Sequence, residues 1–302
     1  MNYRLTLITA VLIVCALCST HSFAEEVVEK GFHYEINQQD HVATLVRYDG
    51  SSSNVAIPNT IKYNGVEYHV TAIHGHAFSE RQIKKKIKKV RIGNFVKSIG
   101  DNTFEGCAAL VSVDFGNSLS VIGYSAFYGC TSLESITIPS SVTSIGNYAF
   151  ADCTSLNSIE IGANVTTIGS KAFKNCFSIT TLVLPRSLTT IGDEAFAGCE
   201  KLKTVTCHAD KVPMTDISAF NYVSLKNVVL KVPELSIGEY KKQTPWKDFG
   251  TITQTTSTAN VDHTKERLNT GSSPYSNVIT KHQKYRSRNV HNASSLTLKN
   301  SI

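Results

Sequence analysis

The sequence has little of several residue types, and each shortage excludes a class of protein. It contains one Trp, two Met and seven Pro in 302 residues, so a collagen-like or proline-rich chain is excluded. Charged residues make up only 18%, against 41% hydrophobic residues and a net charge of +6, which is too apolar for a wholly disordered chain. Apart from one run at the N-terminus, no apolar stretch approaches the ~20 residues of a membrane-spanning helix.

The N-terminal apolar run has the pattern of a secretory signal peptide. Arg4 supplies the positive end, and residues 5–18 are apolar, which is short for a membrane span. Small residues at Ser22 and Ala24 predict cleavage after Ala24, so residues 1–24 form the signal. An uncleaved anchor and a lipoprotein remain as alternatives. Export places the mature chain in an oxidising setting, secreted or at the cell surface, with no transmembrane segment after cleavage.

The rest of the chain repeats itself with a step of 23 residues. The phenylalanines of the repeat are Phe104, Phe127, Phe150, Phe173 and Phe196. The isoleucines, each followed by glycine, are Ile99, Ile122, Ile145, Ile168 and Ile191. Cysteine and leucine recur at the same step. One such unit cannot bury its own apolar face, so the units must stack and join these columns into a continuous core.

Each unit also contains the alternation of a half-buried strand. Ser135, Ile136, Thr137 and Ile138 alternate polar and apolar side chains, which is the period of a strand. The stretch around Phe150 is too short for a regular helix, so a single helical turn is expected there. The pattern predicts a solenoid with a parallel sheet along one side and little regular helix. The glycine after each isoleucine marks a bend where a side chain would be crowded or φ positive.

The spacing L-x-x-I-x-I with a nearby cysteine resembles a leucine-rich repeat, a class with periods of 20–29 residues. The variant I-G-x-x-A-F-x-x-C-x-x-L resembles the BspA-like leucine-rich repeat family of exported bacterial surface proteins. The resemblance implies an α/β repeat solenoid of 23-residue coils. It also implies a binding scaffold, which in some relatives is associated with adhesion to host proteins.

The flanks of the repeats complete the division of the chain. Residues 25–69 resemble the β-rich N-terminal cap of the family and residues 233–254 its C-terminal cap, which leaves about seven coils over residues 70–232. The end coils are irregular, since Phe78 precedes Phe104 by 26 residues and Phe220 follows Phe196 by 24. Residues 255–302 are rich in Ser, Thr and Asn with an excess of Lys and Arg, which predicts a disordered basic tail. This tail is either a tether to a polyanion or cell surface, or solvated chain.

The cysteine column could be a redox or metal site, or simple packing. Stacked residues in neighbouring coils lie ~4.8 Å apart, and parallel side chains keep their Cβ atoms at that distance, beyond the 3.5–4.5 Å of a disulfide. Zinc would need its ligands clustered in one place, and the histidines at 69, 74 and 76 lack an evident third ligand. We therefore predict no metal and no cofactor, and six buried free thiols at Cys107, Cys130, Cys153, Cys176, Cys199 and Cys207.

Outward-facing strand residues form the predicted binding surface, the concave face of the sheet. They are Lys89 and Arg91, Ser112 and Asp114, Ser135 and Thr137, Ser158 and Glu160, Thr181 and Val183, Thr204 and Thr206, and then Asn227 and Val229. The surface is shallow, rich in hydroxyl groups and without a pocket-forming cluster. It therefore favours an extended protein or glycan over a small molecule.

The run over residues 83–92 carries six Lys or Arg side chains. We interpret it as the solubilising surface of the first coil, with a heparin-like or nucleic-acid patch as the alternative.

No catalytic motif stands in a recognisable frame, so we predict no enzyme activity. We expect a secreted or surface-exposed protein that binds an extracellular protein or glycan, in adhesion to host or matrix. Nucleic acid is not an expected partner of an exported chain. The alternatives are a structural spacer without a specific ligand and, ranked last, a carbohydrate-active enzyme.

Overall fold

A computed structural model describes residues 25–255 of the chain. The predicted signal peptide, and the predicted tail beyond residue 255, lie outside the described residues. Within this range the chain winds into a solenoid. Successive coils contribute strands to two stacks, which we call the short-strand stack and the long-strand stack.

The short-strand stack is one long sheet. Its strands follow the order β1 (Glu25–Glu29), β2 (Phe32–Asn37), β3 (Val42–Tyr48), β6 (Val66–Ile73), β8 (Ser98–Ile99), β10 (Val121–Ile122), β12 (Ser144–Ile145), β14 (Thr167–Ile168), β16 (Thr190–Ile191) and β18 (Met214–Thr215), with β5 (Thr60–Tyr63) paired to β6. Strand β2 pairs antiparallel with both β1 and β3, and β5 pairs antiparallel with β6. From β3 to β6 and on to β18, neighbouring strands pair parallel.

The long-strand stack consists of two parallel sheets. The first contains β4 (Asn54–Ala56), β7 (Lys89–Arg91), β9 (Ser112–Asp114), β11 (Ser135–Thr137) and β13 (Ser158–Glu160). The second contains β15 (Thr181–Leu184), β17 (Thr204–Cys207), β19 (Val229–Val232) and β20 (Thr251–Gln254). Among the described strands, no ladder pairs β13 with β15. The stack therefore has nine strands with one interruption.

The helical content is smaller than the predicted α/β class implies. Residues 25–255 contain two one-turn α-helices, Arg81–Lys84 and Ile237–Tyr240, with short 3₁₀ turns. Each coil uses its residues for two strands and the turns between them, so no run reaches the ~12 residues of a stable helix. The class is therefore corrected to a parallel-strand solenoid with little helix, and the 23-residue step holds only in the middle coils.

Stacked phenylalanine rings form the centre of the solenoid, as the repeat spacing predicts. The ring centroids of Phe127 and Phe150 are 5.1 Å apart and those of Phe150 and Phe173 are 5.4 Å apart, with ring planes within 6°. All three rings are fully buried. The isoleucine column runs beside them, since Ile122, Ile145 and Ile168 are buried and pair in register in the short-strand stack.

The glycine after each isoleucine is required by crowding and not by a positive φ. A Cβ atom on Gly146 would lie 2.6 Å from the carbonyl oxygens of both Gly123 and Ile122 in the preceding coil. The φ angle of Gly146 lies outside the left-handed region. The left-handed residues come two positions later, with φ between 48° and 58° at Asn102, Ser125, Tyr148, Lys171 and Glu194.

The last regular coil is two residues out of step with the others. Thr204 pairs with Val229 and Thr206 with Lys231, a step of 25 residues. The outward residues of β19 are therefore Val229 and Lys231. The prediction is right for Val229 and wrong for Asn227, which precedes the strand. One extra residue comes before Met214, which pairs with Thr190 at a step of 24. The other comes between Met214 and β19, where a 3₁₀ turn, Leu225–Asn227, precedes the strand.

Candidate functional site

The predicted site residues share the outward side of the long-strand stack. In the three-residue strands the central side chain points into the core and its two neighbours point away. Nine of the predicted residues are exposed, and Ser112, Thr204 and Thr206 are half-buried. We call this surface, made of the twelve residues from Lys89 to Thr206, the outward face.

Parallel pairing brings these residues into rows, but not into one row along the whole solenoid. Lys89 pairs with Ser112 and Arg91 with Asp114. The rows continue to β13, where the Thr137 hydroxyl donates to Glu160 Oε2 at 3.0 Å. The residues of β15 and β17 form a second set, in which Thr181 pairs with Thr204 and Val183 with Thr206. The interruption between β13 and β15 separates the two sets.

Two shallow clefts lie at the N-terminal end of the outward face, where the sequence predicts no pocket. The first is a cleft of about 330 Å³ across β4, β7 and β9, lined by Asn54, Lys89, Arg91, Ser112 and Asp114. The second, of about 370 Å³, lies at the ends of these strands and is lined by Asn59, Arg91, Asn94, Asp114 and Asn117. Arg91 and Asp114 line both, so the two clefts adjoin.

The wall of the second cleft is fixed by contacts between coils. Asn59 Oδ1 accepts a hydrogen bond from the backbone N–H of Asn94 at 2.7 Å. A Cβ atom on Gly93 would lie 2.6 Å from the carbonyl oxygen of Pro58, so the two turns are in close contact. The sequence gives no sign of this cleft, because Asn59 is 35 residues before Asn94 and outside the regular repeat.

A basic ridge adjoins the first cleft. We define it as Arg81, Lys84, Lys85, Lys86, Lys88, Lys89 and Arg91. The ridge follows the short helix Arg81–Lys84 and the turn into β7. Ile83 and Ile87 are 2% and 0% exposed and anchor it from below. The alternation places the apolar side chains inside and the cations on the surface, as the sequence predicts.

A second exposed cluster lies on the turns leading away from the short-strand stack. The rings of Tyr124 and Tyr148 are 5.5 Å apart, and Lys171 Nζ lies 5.2 Å from the centre of the Tyr148 ring. A hydrogen bond with Tyr148 raises the pKa of Lys171. Tyr124 remains 47% exposed, so a ligand could reach this cluster.

The histidines at positions 69, 74 and 76 do not form a cluster of metal ligands. His69 stacks edge-on against Phe95 at 4.5 Å, and His74 Nδ1 contacts the carbonyl oxygen of Gly75 at 3.0 Å. Across residues 25–255, no group of three or more His, Cys, Asp or Glu side chains is placed to hold a metal ion. In the same range no helix is long and apolar enough to cross a membrane.

Comparison with known proteins identifies the repeat. The chain matches the model of the BspA type leucine-rich repeat region, with six copies, over residues 71–203 and 120–241. The solved structure of a leucine-rich repeat protein from T. pallidum is 28% identical, with a TM-score of 0.54, over 60% of this chain and 81% of that chain. No curated protein is significantly similar to the chain.

Two further solved structures are similar. A leucine rich cell surface protein from Faecalibacterium prausnitzii A2-165 is 20% identical, with a TM-score of 0.48, over 76% of this chain and 73% of that chain. A leucine-rich repeat protein from Bacteroides capillosus ATCC 29799 is 32% identical, with a TM-score of 0.40, over 45% of this chain and 96% of that chain.

The family match and the fold agree. The two overlapping matches, 71–203 and 120–241, together cover more than half of the 302 residues. They span the coils that carry the phenylalanine, cysteine and isoleucine columns. The chain therefore belongs to the BspA-type leucine-rich repeat family.

Proposed function

We propose that this protein is exported to the cell surface or beyond, and that it binds an extended protein or glycan along its outward face, in adhesion to a host or matrix. The observation that carries the proposal is the face itself. Rows of short hydroxyl-bearing side chains run in register from coil to coil, as between Ser135 and Ser158. Successive residues in a row are ~4.8 Å apart, so the face offers many equivalent polar contacts to a long ligand.

The shape of the face supports an extended partner. Small-molecule sites are usually enclosed and mostly apolar, whereas the first cleft opens widely to solvent and the accessible lining of the second is mostly polar. Repeat solenoids use such long surfaces to bind other macromolecules. The N-terminal sequence pattern and the family membership both support export.

Blocking the middle of the face tests the proposal. Ser135→Trp/Ser158→Trp adds two large rings to neighbouring strands at exposed positions. We expect this variant to lose binding to purified extracellular-matrix proteins or to the glycans of an array that the wild-type protein binds. The matched control is Thr143→Trp/Thr166→Trp, which changes two exposed residues of the same two coils on the turns before the short-strand stack.

The outcomes separate the competing functions. Loss of binding in the Ser135/Ser158 variant alone supports the outward face as the site. Equal binding by both variants and the wild type contradicts it. A wild-type protein that binds no matrix protein and no glycan favours the structural spacer, and turnover of a bound glycan would favour the carbohydrate-active enzyme.

A further inference from the structure

The basic ridge departs from the rest of the repeat. Seven cations lie within residues 81–91, in the coil that a three-residue insertion lengthens from 23 to 26 residues. One coil later, the positions of Lys86 and Lys88 are taken by Ala109 and Val111. In the next three coils these positions carry Ser132 and Glu134, Ser155 and Asn157, and Ser178 and Thr180, so this part of the repeat does not itself require cations.

The positive charge of the ridge is largely uncompensated. Within residues 25–255, its one ion pair joins Lys84 Nζ to Glu105 Oε2 at 3.9 Å. The neighbouring coils place few acidic groups beside the lysines, because Ser52 and Ser53 on one side and Ala108 on the other have short uncharged side chains. The carboxylate of Asp114 stands beside Arg91 in the next strand. Charges that are several ångströms apart and not neutralised create a local positive potential, which attracts anionic ligands.

The ridge leads directly into the two clefts. The backbone N–H groups of Lys88 and Lys89 donate to the Ser53 carbonyl oxygen at 2.7 and 3.2 Å, which places β7 beside the coil of β4. Arg91 ends the ridge and lines both clefts. Beyond Arg91 stand the amides of Asn59, Asn94 and Asn117. A ligand on this path would meet a row of cations first and then, beside the carboxylate of Asp114, neutral amides that both donate and accept hydrogen bonds.

We propose that the basic ridge and the two adjoining clefts form a binding site for an acidic polysaccharide. Its sulfate or carboxylate groups contact the cations, and its sugar hydroxyls contact the amides of Asn59, Asn94 and Asn117. This inference rests on the proposed function and names the partner. It also places the strongest binding at the N-terminal end of the outward face, on β4, β7 and β9.

The clefts fit a sugar chain better than a nucleic acid. Single-stranded nucleic acids bind through aromatic platforms on which their bases stack. The residues that line the two clefts include one aromatic side chain, Phe115, and it is only 8% exposed. The cations can hold phosphate, sulfate or carboxylate, but the amide groups beyond them match hydroxyl-rich sugars.

The test compares two charge reversals at equivalent positions. Lys86→Glu/Lys88→Glu changes the ridge, and Lys201→Glu/Lys203→Glu changes the same two positions five coils later, where both lysines are exposed. The purified full chain is titrated with heparin-derived oligosaccharides in one arm and with oligogalacturonates in the other. We expect the ridge variant to bind at least tenfold more weakly than wild type, with a shallower salt dependence. The Lys201/Lys203 variant should remain within twofold.

A second variant tests whether the clefts take part. Asn94→Ala/Asn117→Ala removes two amides without changing charge. We expect a three- to tenfold loss of affinity with an unchanged salt dependence. The two arms identify the anionic group, since a sulfate site prefers heparin fragments and a carboxylate site prefers oligogalacturonates. Unchanged thermal unfolding curves confirm that each variant is folded.

Several results would overturn the inference. One is an equal loss of glycan affinity in the ridge variant and the Lys201/Lys203 variant, because binding would then follow net charge alone. Another is loss on Lys265→Glu/Arg267→Glu with no effect of the ridge variant. A third is competition by single-stranded DNA as strong as that of the glycan, and a fourth is no binding of either glycan. If these glycans fail but Ser135→Trp/Ser158→Trp still abolishes matrix-protein binding, the inference falls and the proposed function stands.

Discussion

At the scale of single residues, the thiols of Cys130, Cys153, Cys176 and Cys199 each donate a hydrogen bond to the coil before them. The carbonyl oxygen of Phe127 accepts the backbone N–H of Cys130 at 3.2 Å and the thiol of Cys153 at 3.3 Å. Cys176 and Cys199 repeat the thiol contact one and two coils later. All six cysteines of residues 25–255 are buried and free. The column therefore acts as packing that also joins neighbouring coils.

Burial has a consequence for the pH dependence of stability. It raises the pKa of Cys107, Cys153 and Cys199 to about 12, whereas an unfolded thiol titrates near ~8.5. The unfolded chain therefore releases protons first as the pH rises. Stability is fully present below about pH 8.5 and is lost progressively towards pH 12.

The variant Cys153→Ser isolates one thiol. Between pH 7.5 and 9.5 we expect the wild-type free energy of unfolding to fall by roughly 1 kcal/mol for each buried thiol. The free energy of unfolding of the variant should fall by roughly 1 kcal/mol less than that of the wild type, since the serine hydroxyl does not titrate in this range. Urea unfolding at the two pH values measures the difference. Equal pH dependence of the two proteins would show that Cys153 is not desolvated.

Glycines at two places in the coil should respond differently to alanine. Gly146→Ala sets a Cβ atom against backbone atoms of the preceding coil, and we expect a loss of ~3 kcal/mol. At Gly129, φ is 68° and a Cβ atom would be 3.8 Å from its nearest neighbour. Asp152 and Asn175 adopt the same backbone conformation at this position in later coils.

We therefore expect Gly129→Ala to cost only ~1 kcal/mol. Chemical denaturation of both variants provides the comparison. A larger loss for Gly129→Ala than for Gly146→Ala would contradict the assignment of crowding to the Ile-Gly column.

At the scale of elements, the phenylalanine column dominates the packing of the coils. Phe150→Ala removes a fully buried ring between two stacked neighbours, and we expect a loss of ~3–5 kcal/mol. Phe177→Ala is the control, because that ring is 37% exposed and should cost no more than ~1 kcal/mol. Urea unfolding measures both. A loss under ~1 kcal/mol for Phe150→Ala would be inconsistent with the stacked column.

Much of this element structure follows from the sequence, because a column of identical residues at one step can only be a shared core. The short-strand stack could not be predicted from the sequence. Its strands, such as Ser144–Ile145, have two residues, too few to show an alternation, and they become strands only through pairing with neighbouring coils. The position of β19 was also missed, because Leu225 fits the leucine column by number while the strand begins at Val229.

At the scale of the whole molecule, each coil is stabilised mainly by its two neighbours, so the ends need protection. Trp246 closes the aromatic column at the C-terminal end, with its ring 5.9 Å from Phe220 and its indole N–H donating to Thr215 Oγ1 at 3.1 Å. It is fully buried. Terminal units of this kind cap a solenoid in the way that repeat stability requires.

The variant Trp246→Ala tests how far a disturbance at one end travels. We expect a loss of ~3–5 kcal/mol locally, seen as faster amide hydrogen exchange in β19 and β20. Exchange in β9 and β11 should remain as in the wild type, because several intact coils lie between. Uniformly faster exchange along the whole solenoid would instead show that it unfolds as a single unit.

The candidate site was predicted in part at this scale. The alternation placed the outward residues from Lys89 to Thr206 on one surface, and they share it. The clefts could not be predicted, because they depend on β4 joining the stack and on contacts between irregular turns. The interruption between β13 and β15 has no signal in the sequence, since the step there remains 23 residues.

The uniform 23-residue step of the middle coils allows the length of the solenoid to change by whole coils. Deleting residues 136–158 would join Ser135 to Ile159, which occupies the place of Ile136 one coil later. Every column would meet its counterpart across the new junction, and the solenoid would shorten by ~4.8 Å. Duplication of the same segment would lengthen it by the same amount. In-frame gain or loss of one repeat in the gene would therefore adjust the reach of the protein while leaving both ends, and the basic ridge, unchanged.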